Sequence, residues 1–121
     1  MRHARATVDR GAATVLVLTL VAVILALSVG GLVIASCLVA SQRARVAADL
    51  GSLAGASALQ DGLPREQACA VASRVALANG AATQACSVQG ETLDLRVRVA
   101  TALWPQPATA RGRAGPQPWP P

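Results

Sequence analysis

From Gly11 to Gln42 the chain carries no charged residue, and from Ala13 to Ala40 it is almost wholly Val, Leu, Ile and Ala. A membrane-crossing helix needs about 20 mostly apolar residues at 1.5 Å of rise each. This run exceeds that length. A soluble domain would have to cover such a helix on all sides, and a chain of 121 residues has little left with which to do so. The run is therefore read as a single membrane span. It divides the chain into a leader (1–10), a transmembrane helix (11–42), a small head (43–103) and a Pro-rich tail (104–121).

Basic residues before a span hold that end in the cytoplasm. Arg2, Arg5 and Arg10 outweigh Arg43 and Arg45, which have Asp49 close behind. Cys69 and Cys86 lie beyond the span, and a pair there forms one disulfide in an exported domain. Both signals place the N-terminus in the cytoplasm and the head outside. Cys37 lies within the apolar run. Ile34-Ala35-Ser36-Cys37 resembles a lipobox, so a lipoprotein beginning at Cys37 is one alternative, with a small residue packed in a membrane helix as the other. Small residues at Ser28, Gly31 and Ala35 form either an association row in the span or plain background.

Arg43 to Gln60 contains no Pro and continues the helix as a stalk. Ala44, Ala47, Gly51, Ala54, Gly55 and Ala58 recur every three or four residues along one face. Two glycines in a helix cost up to about 1 kcal/mol each against Ala, and that cost fits a face approached closely by another helix. Val46, Leu50, Leu53 and Ser57 form the neighbouring row. Asp61-Gly62-Leu63-Pro64 is a turn, and Arg65 to Asn79 is a second helix stopped at Asn79-Gly80. Its inward face is Ala68, Cys69, Ala72, Val75 and Ala76. Ala85 to Val88 reads as a short strand, and Gln89-Gly90 as a turn. In Glu91 to Thr101, Leu93, Leu95, Val97 and Val99 alternate with Asp94, Arg96 and Arg98, which is the strand period. The expected fold is α+β: a long N-terminal helix extending into a stalk, a short second helix and a small antiparallel hairpin stapled by one disulfide. From Trp104 onward the Pro-, Gly- and Ala-rich composition predicts a disordered tail.

Catalytic chemistry finds little support. His3 is the sole histidine, so no Ser-His-Asp triad is available. No zinc-ligand set, paired-carboxylate motif or phosphate loop is present. The reading is a non-enzyme without cofactor, metal or small-molecule substrate. Arginine supplies all the strongly basic charge and is scattered through the sequence, with no Phe or Tyr to stack on bases, so no nucleic-acid partner is expected.

Asp9-Arg10-Gly11 before a long apolar helix is similar to a prepilin processing site, with cleavage between Gly11 and Ala12. Together with Arg45-Val46-Ala47-Ala48-Asp49-Leu50-Gly51-Ser52-Leu53-Ala54-Gly55-Ala56, Cys69 early in the second helix and Cys86 before the last strand region, it resembles the TadE-like, Flp-pilus-assembly family in its short actinobacterial branch. The resemblance covers about residues 9 to 100. It departs from pilins at Leu16, where they carry Glu. It implies a minor-pilin-like component or assembly factor of a Tad/Flp pilus or secretion apparatus, partnered by other membrane components of that apparatus and by the bilayer. The alternatives are an envelope lipoprotein or an accessory subunit that binds another membrane protein.

Overall fold

The computed structural model describes residues 2–117, with side chains from Asp9 onward. Met1 and residues 118–121, Trp119 among them, lie outside what is described, as does the side chain of His3. Helix α1 runs from Arg2 to Gln60, α2 from Arg65 to Ala78, and strands β1 (Ala82–Gln89), β2 (Thr92–Val99) and β3 (Ala108–Ala114) follow. The chain divides into two compact units, residues 1–34 and 35–121.

The first unit is helix alone. The helix extends from Arg2 straight through Gly11, so Gly11 does not mark a helix start. Residues 2–10 hold neither Gly nor Pro and are rich in Ala and Arg, so nothing stops the helix there. Leu16, Leu18, Leu25 and Leu27 are all exposed. The hydroxyls of Thr14, Thr19 and Ser28 donate to carbonyls four residues back, at 2.8–2.9 Å. Polar side chains satisfied within their own helix suit a segment that must meet its hydrogen bonds internally in lipid. This helix is long and apolar enough to cross a membrane.

The second unit begins earlier than the expected border at residue 43. Ala40 is already part of its core. The span is not shortened below need, because Gly11 to Ile34 provides about 36 Å of helix against a hydrocarbon thickness of about 30 Å. Within this unit α1 and α2 form an antiparallel hairpin. Gly62, at φ +90°, follows the end of α1, and the Leu63 amide donates back to the Ala58 carbonyl at 3.0 Å. Pro64 stands just before the first residue of α2. Ala68, Ala72 and Ala76 are its buried face, with Cys69 half-buried beside them. Gly80, at φ +81°, follows its end.

The sheet is antiparallel in the order β1-β2-β3. A two-residue loop, Gly90-Glu91, joins β1 to β2, and Gln89 pairs with Thr92. Gly90 takes φ +63° in the first loop position, as a type II′ hairpin requires. The ladder slips between Thr83 and Ala85, a β-bulge near the start of β1. Strand β2 supplies the bulk of the core: Leu93, Leu95, Val97 and Val99 are buried, as their alternation predicts. Burying each is worth about 1.5–3 kcal/mol. The helices meet them with alanine and glycine. Thr83 on β1 donates its hydroxyl to Ser73 on α2 at 3.1 Å, tying the two elements.

Strand β3 corrects the expected tail. Ala108–Ala114 pairs with β2 over its whole length, from Ala108 opposite Val99 to Ala114 opposite Leu93. The expected hairpin is therefore a three-stranded sheet. Composition conceals β3, since only Thr109 among its residues favours strands. Its pattern reveals it: Ala108, Ala110, Gly112 and Ala114 alternate with Thr109, Arg111 and Arg113. The smaller set lies on the same face as the apolar row of β2, where a helix approaches closely. Gly112 sits so near α1 that a Cβ there would strike the Ala48 carbonyl.

Candidate interaction surfaces

The small-residue face of α1 is occupied within the chain. Ala44, Ala47, Gly51, Gly55 and Ala58 are buried, and Ala54 is half-buried. At Gly51 a Cβ would lie 2.5 Å from Leu95 Cδ2 and 3.0 Å from the Ala72 carbonyl. At Gly55 it would lie 2.5 Å from Leu93 Cδ1 and 3.1 Å from the Ala68 carbonyl. The close approach inferred from these glycines is real, and within the chain it is made by α2 and the sheet. Ser52, also on this face, donates its hydroxyl to the Asp49 carbonyl at 3.0 Å, which makes its burial affordable.

Once that face is covered, the neighbouring row is what α1 presents outward. Val46, Leu50 and Leu53 are 48%, 44% and 57% exposed. They are spaced four and three residues apart, so they stand one above another on the helix. Isolated exposed apolar residues are ordinary, whereas an aligned row is a candidate contact surface.

Cys69 and Cys86 form the expected disulfide, with Cα atoms 6.0 Å apart, and it fastens α2 to β1. Cys37 is a free, half-buried thiol inside the unbroken helix. Gly11 and Ala12 are exposed on the same helix, and no side chain approaches Gly11. Gly30 and Gly31 likewise have open space around them. Among the described residues no group of three or more His, Cys, Asp or Glu side chains gathers into a metal-binding set.

Two further surfaces are products of folding. At one end of the sheet, Leu77, Ala82, Arg98, Thr101 and Trp104 border an open groove of about 570 Å³. On the outward face of the sheet, β2 presents Asp94, Arg96 and Arg98, and β3 presents Arg111 and Arg113. Arg111 Nε donates to both carboxylate oxygens of Asp94 at 2.8 and 3.0 Å, and its Nη2 donates to Oδ2 as well. This hydrogen bonding holds the Asp94 carboxyl below its ordinary value, and the charges of Arg111, Arg113 and Arg96 act in the same direction. The arginines are far apart in sequence, and only pairing of β2 with β3 gathers them. The signal that would have found them is the repeated Arg-x-Arg spacing, Arg96/Arg98 and Arg111/Arg113, which fixes one face in any strand.

Asp94 sets a pH expectation. Its folded pKa lies below the unfolded one, so the ion pair stabilises fully above the ordinary carboxyl range and is lost as pH falls through the depressed folded value. Asp94→Asn is expected to flatten the fall in melting temperature below about pH 4. The effect is small, since the pair faces water. Thermal melts of both proteins between pH 2 and 6 measure it.

No family model, curated protein or solved structure matches this chain.

Proposed function

We propose that this protein is a non-enzymatic, membrane-anchored assembly component: a minor-pilin-like or pseudopilin subunit, or an assembly factor, of a Tad/Flp-type pilus or secretion apparatus. The leader faces the cytoplasm and the disulfide-bonded head faces outward, where disulfides persist. The observation that carries the reading is the use of α1 beyond the span. One helix continues unbroken to Gln60, its small-residue face is filled by its own head, and the row Val46, Leu50 and Leu53 stays open. A helix arranged in this way presents an apolar seam to another helix that stands beside it. The family resemblance supplies the identity of the apparatus.

The test is photo-crosslinking in native membranes from Leu50 and from Leu53, with Arg74 on the exposed side of α2 as the control position. Leu50 and Leu53 are expected to capture another membrane protein in high yield and Arg74 to capture little. Crosslinks to lipid alone, or equal yields from all three positions, would overturn the reading. An accessory subunit unrelated to pili would use the same row, and the identity of the captured protein separates the two.

A further inference from the structure

The outward face of the sheet is a cation grid that the fold compensates with a single carboxylate, Asp94. Arg96 stands directly opposite Arg111, Arg98 opposite Thr109, and Arg113 opposite Asp94. Asp94 is the only acidic residue in the three strands, and Arg111 occupies it. Among the described residues, Arg96, Arg98 and Arg113 have no ion-pair partner. Like charges directly opposite on neighbouring strands destabilise a sheet. Asp94 offsets the Arg96–Arg111 juxtaposition only in part, since one carboxylate faces four guanidinium groups, and a bound anion would add to that offset. Two shallow cups flank the Asp94–Arg111 pair, one of about 130 Å³ reaching Ser87 and Arg113, the other of about 210 Å³ reaching Arg96.

We propose that this face docks a linear polyol-phosphate polymer, an anionic chain of short polyols joined by phosphodiesters. The pitch is the first reason. Alternate residues of a strand lie about 6.8 Å apart. A three-carbon polyol phosphate repeats every six backbone bonds, the same number as two extended amino-acid residues, so its phosphates recur at nearly that distance. In register the arginines form three successive rows, Arg113 (opposite Asp94), then Arg96 beside Arg111, then Arg98 (opposite Thr109), so three successive phosphates meet them in turn. The second reason is donor chemistry. Each guanidinium offers a planar fork that matches two phosphate oxygens. Nucleic acid shares the pitch, but proteins that hold single strands lay bases on successive aromatic rings. The three strands hold no aromatic residue, and Trp104 lies beyond the end of β2. The grid reads charge spacing and leaves bases without a platform.

The experiment uses the full-length protein in zwitterionic nanodiscs and a fluorescent poly(glycerol phosphate) chain, followed by anisotropy. Binding is expected at low salt, with a log–log salt slope of about −2 to −3 for three phosphates engaged. Arg96→Gln/Arg98→Gln/Arg113→Gln should weaken it at least tenfold while far-UV circular dichroism stays unchanged. Should that variant fail to fold, the corresponding triple Arg→Lys variant keeps the charge, and it should bind several-fold more weakly with the salt slope retained. Asp94→Asn frees Arg111 and should tighten binding about twofold. Undiminished binding by the folded glutamine variant would overturn the proposal. So would equal affinity for an oligothymidylate of the same charge, or binding to anionic vesicles but not to the polymer. None of these outcomes bears on crosslinking from Leu50 and Leu53, so the two readings stand or fall separately.

Discussion

Gly112→Ala is expected to destabilise the head by about 3 kcal/mol or more, near the upper end of what overpacking costs. The added Cβ would meet the carbonyl oxygen and carbon of Ala48 and then the Ser52 hydroxyl. Backbone of a long helix has no rotamer through which to yield, so β3 or α1 must move as a whole. In a head this small the loss is a large share of total stability. A melting temperature lower by about 15 °C follows. Thermal melts followed by circular dichroism in detergent measure it. Gly30→Ala and Gly31→Ala serve as controls, because nothing lies within 4 Å of a Cβ at either position. They should leave the head's transition where it was. Gly51→Ala and Gly55→Ala should fall between, because the nearest obstacles are the ends of Leu95 and Leu93, which have some freedom to rotate. A Gly112→Ala protein that melts with the wild type would mean that α1 does not press on β3 as described.

Opening the Cys69–Cys86 bridge should cost nearly as much, about 3 kcal/mol for a closed loop of this size. The bridge joins residues 17 apart, from α2 to β1. It matters because the core is thin: beyond Leu93, Leu95, Val97 and Val99 its buried apolar side chains are alanines. Denaturation by urea with and without reductant, monitored on the full chain, should show the midpoint fall in the wild type. Cys69→Ser/Cys86→Ser should start at the lower midpoint and ignore reductant, while Cys37→Ser should behave as wild type. A wild-type midpoint indifferent to reductant would show that the packing of α2 on the sheet suffices without the bridge.

Several elements were legible because their signal is local. The Leu93-x-Leu95-x-Val97-x-Val99 alternation admits one strand with one buried face, and that is what forms. The Ala/Gly period of α1 correctly announced a close neighbour. It did not say whose atoms would supply it, because a helix face of alanine and glycine fits a second chain and its own head equally well. Strand β3 was hidden for another reason. Ala108 to Ala114 has little intrinsic preference for strand and sits among prolines, so local propensity argues for a tail. Pairing with β2 and the need for small residues beneath α1 override that propensity. Helix α1 runs from Arg2 through Gly11 because a single glycine costs a helix only about 1 kcal/mol against Ala and does not stop it.

By itself the sequence determined the long apolar helix, the second helix, the strand β2 and the two cysteines that meet outside the span. Each rests on periodicity, uninterrupted hydropathy or residue type within a short window. Only the tertiary structure decided that the glycine face is filled from within, that Val46, Leu50 and Leu53 are the row left open, that β3 exists, and that four arginines share one surface. Those outcomes depend on which distant segments come into register. The physical reason is that alanine and glycine permit close approach without naming a partner, and ladder hydrogen bonds, not side-chain preference, bring residues 108–114 alongside 93–99.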